Sequence, residues 1–348
     1  MMMYVAVQEP LTTSLLYNEI QEAWHVLESH LVPTPILYSP LLNQALGVSL
    51  WFKAENLQQT GAFKFRGATY FLSKLTPEQK QQGIVSFSSG NHAQAVAAAA
   101  YHAGISAKIV MPHDAPRIKV QGTRAWGAEV ILYHRHTESR EAIAASLAEK
   151  EGRMVVPPFD HLWTMAGQAT VAKEWLKQMT KTLPHALDHV LIPCSGGGLS
   201  AGMSCVFHQE SPNTRCYVVE PEGFEDTKLS LEQGKVMKIT PSHTTLCDAL
   251  ALTQPGYKTL DILKQTGVLP LSSTDLYTQQ AMYLLWKYLK VVVEPGGAVG
   301  LGAILQAKAE GKPLFQAHEA IGVVLSGGNA DPDVFQTMLK ACAESEPA

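Results

Sequence analysis

Short apolar runs rich in β-branched residues alternate along the chain with longer stretches in which apolar positions follow a helical period. GIVSFSSGN (83–91) predicts a strand followed by a turn, and HAQAVAAAAYHAG (92–104) predicts an alanine-rich helix that ends at Gly104. AKIVMP (107–112) predicts the next strand. This alternation is typical of strand–helix–strand units around a largely parallel sheet, so the sequence predicts an α/β fold.

The same alternation continues downstream and separates into two groups of elements. A strand at 128–134 and a helix at 137–152 complete a compact unit of roughly residues 82–156. A second sheet with its helices is then predicted from five further segments. These are DHVLIPC (188–194, strand) with LSAGMSCVFHQ (199–209, helix), RCYVVE (215–220, strand), TDLYTQQAMYLLWKYLK (274–290, helix) and IGVVLSGGN (321–329, last strand and turn).

Composition narrows the class of function. The chain has 348 residues, of which 46% are hydrophobic, enough for a large core and two domains. A net charge of −4 excludes the basic field that nucleic acid or an anionic membrane would require, which favours small-molecule chemistry. We find neither a signal peptide nor a membrane-length apolar run, so a cytoplasmic location is expected. The five cysteines have no zinc or redox spacing and are expected to be buried free thiols.

The stretch TGAFKFRG (60–67) places a lysine between two phenylalanines. An amine kept among apolar groups has a lowered pKa, because burial disfavours its charged form, and it can then be nucleophilic near neutral pH. Lys64 is therefore a candidate covalent catalyst, with a structural or solvated lysine as the alternative.

Three glycine-bearing turns each follow a predicted strand: SSGN (88–91), SGGG (195–198) and SGGN (326–329). Ligands of open α/β sheets bind beyond the carboxyl ends of the strands, so the three turns could meet at one ligand. Each alone could equally be a tight connection. SGGG before a helix favours a phosphate cradle, while the P-loop and Rossmann patterns are absent. A phosphate cradle together with an activated lysine suggests pyridoxal phosphate.

At this point the chain resembles the fold-type II pyridoxal phosphate enzymes, and most closely their serine/threonine dehydratase and serine racemase group. The similarity runs from about Pro33 to Asn329, nearly the whole chain. The ordered set of motifs is far more specific than any one of them. They are TGAFKFRGA, SSGNHAQAVA, MPHDAPRIKVQGTRAWGAEV, AGQAT, SGGGLSAG, EPGGAVGL and LSGGN.

The resemblance implies a fold and an assembly. The fold has two open, twisted, mostly parallel sheets with flanking helices, similar to the tryptophan synthase β-chain. Residues 1–81 and 157–348 would form a large domain that binds the cofactor, and residues 82–156 a small mobile domain that binds the substrate. The family also implies a homodimer.

It further implies the residues that hold pyridoxal 5′-phosphate. Lys64 resembles the lysine that forms the Schiff base, and Asn91 the side chain that bonds the cofactor's 3′-oxygen. Ser326 matches the residue facing the pyridine nitrogen, and as a neutral hydroxyl it favours β-elimination over transamination. The remaining cofactor contacts would be Phe63, Glu294 and the phosphate-loop residues Ser195, Gly196, Gly197, Gly198 and Leu199.

The substrate would bind at the SSGNH turn. The resemblance assigns Ser88, Ser89, Asn91 and His92 to this role, together with Arg140 in TESREA. Ser89 stands where racemase-like members carry a second proton-exchanging serine, although it could simply cap the following helix. His92 could likewise only pack at the helix start, and Arg140 could be an exposed helical arginine.

A divalent-cation site is implied by VVEPEGFED. Glu220, the backbone carbonyl of Phe224 and Asp226 have the spacing of the Mg²⁺ or Ca²⁺ ligands in part of the family, and oxygen ligands suit both ions. A solvated acidic loop is the alternative.

The function implied is a dehydratase, an ammonia-lyase that converts L-threonine or L-serine into a 2-oxo acid and ammonia. Serine racemase and dehydratases of 3-hydroxyaspartate or phenylserine remain alternatives, with a β-replacement synthase or a catalytically silent homologue behind them. Ser195 stands where glycine is usual, Pro157 where histidine is usual, and AGQAT where AGQGT is common. These departures leave the cofactor chemistry in place and put the substrate in doubt.

Overall fold

A computed structural model describes residues 10–88, 90–115, 117–135, 137–181 and 186–344. Its strands are β1 Ile36–Leu37, β2 Ser49–Lys53, β3 Ile84–Phe87, β4 Ala107–Pro112, β5 Glu129–Tyr133, β6 Met154–Val155, β7 His189–Pro193, β8 Arg215–Pro221, β9 Leu269–Ser273 and β10 Ala320–Val324. Its helices are α1 Thr13–Leu27, α2 Pro40–Leu46, α3 Lys64–Ser73, α4 Pro77–Gln82, α5 Asn91–Ala103, α6 Arg117–Ala125, α7 Arg140–Glu151, α8 Leu162–Met179, α9 Gly198–Glu210, α10 Asp226–Gln233, α11 Tyr257–Thr266, α12 Asp275–Leu289, α13 Pro295–Ala309 and α14 Pro332–Glu344.

The strands form two sheets. The larger has the order β1-β2-β10-β7-β8-β9 and is parallel except for the β1–β2 pair. The smaller has the order β5-β4-β3-β6 and is parallel throughout. The predicted α/β class with two mostly parallel sheets is therefore confirmed. The assignment of 82–156 to a separate mobile domain stays a prediction.

Most predicted elements have bounds close to the observed ones. AKIVMP forms β4 over Ala107–Pro112, as predicted, and α5 ends where Gly104 adopts the left-handed conformation, with φ 66°. The N-terminal helices and the strands β1 and β2 were not predicted.

The glycine-rich segment after Glu294 forms α13, a helix that the sequence pattern did not predict. Its residues from Pro295 to Leu305 are all buried, so it lacks the polar face on which a helical period is recognised. Gly302 has no room for a side chain, since a Cβ there would lie 2.4 Å from Ser273 Oγ. Small residues thus let α13 pack closely against the large sheet.

Four charged side chains, one of them on the helix that Lys64 begins, form a buried network. The Arg66 guanidinium donates to Glu55 Oε2 over 2.8 Å and to Glu174 Oε2 over 3.0 Å, and Lys53 Nζ donates to Glu174 Oε1. Each of the four is less than a tenth exposed. Because the two cations and two carboxylates bond to one another, no charge of this network is left uncompensated.

The cysteines Cys194, Cys205, Cys216 and Cys247 are buried free thiols, as predicted, and Cys342 is buried as well. Within the described ranges, no helix combines the length and the apolar character needed to cross a membrane.

Candidate active site

A cavity of about 610 Å³ opens at the carboxyl ends of β3, β7 and β10. The turns that follow these three strands all line it, so the structure brings the three glycine-bearing turns to one site. The predicted site residues that line the cavity are Phe63, Lys64, Ser88, Asn91, His92, Arg140, Ser195, Gly196, Gly197, Gly198, Leu199, Phe224, Glu294 and Ser326.

Lys64 is the first residue of α3 and points into this cavity. A tight turn precedes it, in which Thr60 adopts φ 65°. Its Nζ donates to the carbonyl of Pro158 over 2.7 Å and lies 5.1 Å from the centre of the Phe63 ring. Burial lowers the pKa of the Lys64 ammonium to about 8. The amine predicted from the FKF pattern is thus available in its neutral form near pH 8.

The SGGG turn forms a backbone cradle at the start of α9. Gly197 has φ 89°, which only glycine adopts readily, and a Cβ on Gly196 would lie 2.4 Å from the Phe159 ring. Thr259 Oγ1 donates to the Gly196 carbonyl over 2.8 Å and fixes the turn. The 13-residue helix directs its positive end at the cavity. These features fit a phosphate group.

Asn91 is held on both sides of its amide. Its Nδ2 donates to Glu294 Oε1, and its Oδ1 accepts from Asn329 Nδ2 over 2.9 Å. Glu294 is buried, and burial raises the pKa of its carboxyl to about 7. Glu294 Oε2 has no hydrogen-bond partner among the described residues. Ser326 is also buried and lines the cavity.

The predicted substrate turn is only partly described. Ser88 Oγ accepts from the backbone N–H of Gly90 over 3.1 Å, so this hydroxyl stabilises the turn itself. His92 Nε2 lies 3.2 Å from the carbonyl of Val156. Burial, followed by the nearby Lys64 charge, lowers the pKa of His92 to about 3, so the ring is neutral at physiological pH. Ser89 lies outside the described residues.

Basic side chains line the part of the cavity nearest the small sheet. Arg140 Nε donates to Glu141 and the guanidinium lies 5.5 Å from the Phe87 ring centre. Arg135 is paired with the exposed Asp114, and Lys119 also lines this wall. These cations make the wall basic, and each of them is paired with a carboxylate.

The predicted metal ligands lie behind the phosphate cradle. Glu220 accepts from the backbone N–H groups of Thr227 and Lys228 over 2.8 and 2.9 Å. Both oxygens of the buried Asp226 lack a hydrogen-bond partner in the described part of the chain. Burial, followed by the Glu220 charge, raises the pKa of Asp226 to about 8, and burial raises that of Glu220 to about 7.

Two neighbouring buried carboxylates, one of them with both oxygens open, fit a cation, and the Phe224 carbonyl could add a third ligand. The described residues contain no group of three or more His, Cys, Asp or Glu side chains placed to hold a metal ion. A cation here would therefore need backbone and water oxygens to complete its shell.

Sequence reasoning missed several residues of the site, three of which support or extend the predicted set. Phe159 supports the phosphate cradle, Asn329 orients Asn91, and Lys119 lines the cavity wall. Lys119 and Asn329 both fall inside quoted motifs, which was the only available signal. Their positions depend on contacts between distant parts of the chain.

Comparisons with known proteins agree with this geometry. The family profile "Pyridoxal-phosphate dependent enzyme" matches residues 27–327. The chain is 38% identical to L-threo-3-hydroxyaspartate ammonia-lyase of Saccharomyces cerevisiae, over 93% of this chain and 96% of the relative. It is 37% identical to serine racemase of Schizosaccharomyces pombe, over 90% and 94%. The structure of maize serine racemase superimposes with a TM-score of 0.85, at 34% identity, over 94% of this chain and 98% of that one.

Proposed function

The chain belongs to the pyridoxal-phosphate-dependent enzymes, and from that premise we propose that it is an ammonia-lyase for a small β-hydroxy amino acid, L-threonine or L-serine. It would release water from the β-carbon and yield a 2-oxo acid and ammonia. The observation that carries the proposal is Lys64, an amine with a lowered pKa in a cavity that also contains a phosphate cradle. The hydroxyl of Ser326, in place of a carboxylate, supports elimination over transamination.

The residues of the cavity fit the cofactor. The phosphate would bind at the amides of the SGGG turn, whose conformation needs glycine because a Cβ at Gly196 or Gly197 would collide with Phe159 or Thr259. Asn91 would bond the ring oxygen with an amide already oriented by Glu294 and Asn329. Bound pyridoxal phosphate withdraws electrons from the substrate α-carbon and makes its proton acidic.

The chain's own residues would then move the proton and orient the substrate. Lys64 would be the base for the α-proton, and its lowered pKa suits that role near neutral pH. His92 stays neutral and is bonded to Val156, so it would orient the substrate rather than exchange protons. Gly90 opens α5, whose N-terminus would receive the substrate carboxylate.

Two other activities have support. Dehydration of L-threo-3-hydroxyaspartate is favoured by Arg135 and Arg140 on the cavity wall, because a second carboxylate needs a cationic partner. The relative of that name in yeast adds to this support. Racemisation of serine depends on Ser89 exchanging a proton on the face opposite Lys64, and the serine racemase relatives favour it.

A substrate panel tests the proposal. Purified enzyme with pyridoxal phosphate and Mg²⁺ would be incubated with L-serine, L-threonine, both D-enantiomers and L-threo-3-hydroxyaspartate. Release of 2-oxo acid and ammonia from L-threonine or L-serine would support the proposal. Turnover of hydroxyaspartate alone would move the assignment to the acidic substrate. Inverted amino acid without oxo acid would replace the lyase with a racemase.

The lowered pKa of Lys64 predicts a pH dependence for cofactor capture. Only the neutral amine attacks the aldehyde, and with a pKa of about 8 roughly a tenth is neutral at pH 7. The rate at which cofactor-free protein captures pyridoxal phosphate should rise about tenfold from pH 7 to pH 9 and then level. Stopped-flow absorbance measures this rate. A rate that keeps rising beyond pH 10 would mean an ordinary lysine.

We also propose that the Glu220 and Asp226 carboxylates bind Mg²⁺ or Ca²⁺ as a structural ion. A cation at about 100 times its dissociation constant should raise the free energy of unfolding by about 2.7 kcal/mol. In Asp226→Asn this stabilisation should disappear, because the open carboxylate is lost. Thermal unfolding with and without each ion measures it. Glu222→Gln, on the exposed side of the same loop, is the matched control and should keep the full effect.

A further inference from the structure

Lys119 forms an ion pair that joins the two sheets across the cavity. It lies on α6, beside the small sheet, and its Nζ donates to Asp248 Oδ2 over 2.9 Å. Asp248 begins a short 3-10 turn, Asp248–Leu250, that packs against α13 on the large sheet. The two partners differ in their surroundings, since the Lys119 side chain is 8% exposed and that of Asp248 is 61% exposed.

The ammonium of Lys119 also faces the turn that begins α5. A Cβ built on Gly90 would lie 3.7 Å from Lys119 Nζ, so the charge stands directly over this backbone. Gly90 is the N-cap of α5, and no described side chain caps that helix end. Lys119 also interacts with the buried carboxyl of Glu294, whose raised pKa it partly offsets.

The exposed carboxylate is a weak partner for this ammonium. Ion pairs with a solvated member gain little, because water competes for the charge and screens it. A carboxylate brought inside the cavity, at the open N-terminus of α5, would meet Lys119 in a less polar environment where the attraction is stronger. It would also accept hydrogen bonds from the backbone N–H groups at this helix end.

We propose that Lys119 binds the substrate α-carboxylate. Its ion pair with Asp248 would form only while the site is empty. Substrate entry exchanges an exposed partner for a buried one, so binding changes a contact between the two sheets. The inference rests on the proposed function, since it requires an amino-acid substrate. It assigns a specificity role to a lysine that neither the glycine turns nor the aromatic pattern indicated.

The test compares a substrate with and without its carboxylate. L-serine and L-serinamide would be titrated into the cofactor-loaded enzyme, with the dissociation constant read from the change in cofactor absorbance. Lys119→Met should weaken L-serine binding about 10- to 100-fold, the loss of a charge-assisted contact, and change L-serinamide binding by no more than about threefold. Lys119→Arg, which keeps the charge, should recover most of the L-serine affinity.

Asp248→Asn separates this role from a simple clamp between the sheets. With its competitor removed, Lys119 should bind L-serine as tightly as in the wild type or more tightly. The proposal is wrong if Asp248→Asn weakens the binding of L-serine as much as Lys119→Met does. It is also wrong if Lys119→Met weakens the binding of L-serine and L-serinamide equally. Either result would mean that the ion pair only stabilises the structure. Lys108→Met, which removes a pair on the outer side of the small sheet, is the control.

The same titration keeps the two proposals apart. A wild-type enzyme that binds L-serine without releasing oxo acid contradicts the ammonia-lyase assignment. The role of Lys119 is still decided by the dissociation constants, because they are read from binding and not from turnover.

Discussion

Lys64→Ala is expected to lower oxo-acid release by about 10³-fold or more and to remove the absorbance of covalently bound cofactor. A positioned general base alone contributes about 10²- to 10⁴-fold, and Lys64 is also the covalent attachment point. Its Nζ, bonded to the Pro158 carbonyl, faces the cavity beside the ring of Phe63. Steady-state kinetics and the ultraviolet–visible spectrum measure both losses.

Lys74→Ala is the matched control for this variant. Lys74 caps the opposite end of α3 and pairs with Glu19 and Glu22 at the surface, far along the helix from the cavity. Its removal should leave spectrum and turnover within about twofold of the wild type. Full activity in Lys64→Ala would overturn the assignment of this lysine, whatever the result of the control.

Glu174→Gln is expected to lower the free energy of unfolding by about 3–5 kcal/mol. Glu174 bonds Lys53 and Arg66, and all three are buried, so the neutral amide leaves two cations facing the single carboxylate of Glu55. Breaking a buried charge network from one side costs this much because an uncompensated charge remains in the core. The shift of the urea unfolding midpoint measures the loss.

Glu210→Gln supplies the comparison for a pair nearer the surface. Glu210 is a quarter exposed and pairs with Lys173, which precedes Glu174 on α8. The expected loss there is about 0–1 kcal/mol, since water replaces the lost partner. Equal effects at the two positions would show that the buried network contributes no more than a surface pair.

Local sequence was sufficient for elements that have strong local signals. β4 lies in a buried β-branched run bounded by Gly104 and Pro112, and these signals agree with its tertiary setting. α13 could not be predicted in this way. It is buried on every side from Pro295 to Leu305, and its glycines predict a loop from sequence alone. The structure shows that Gly300 and Gly302 instead allow close packing of the helix.

The candidate site likewise contains residues that local sequence indicated and contacts that it did not. Lys64, Asn91 and the SGGG turn carried recognisable chemistry, and the structure places them at one cavity. The Lys119–Asp248 pair joins residues 129 positions apart, and the Asn91–Asn329 bond joins residues 238 positions apart. Such contacts follow from how the two sheets are arranged, and no local spacing encodes that arrangement.

The position of β10 in the large sheet has a consequence for synthesis of the chain. β10 is the last strand to be made, yet it lies between β2 and β7 and pairs with both. Before Ala320 is synthesised, β1–β2 and β7–β9 can therefore form only as two unconnected parts of the sheet, each with an unpaired edge. The small sheet, complete by Val155, can fold during translation. Formation of the complete large sheet requires β10, so it is a long-range and slow step exposed to aggregation.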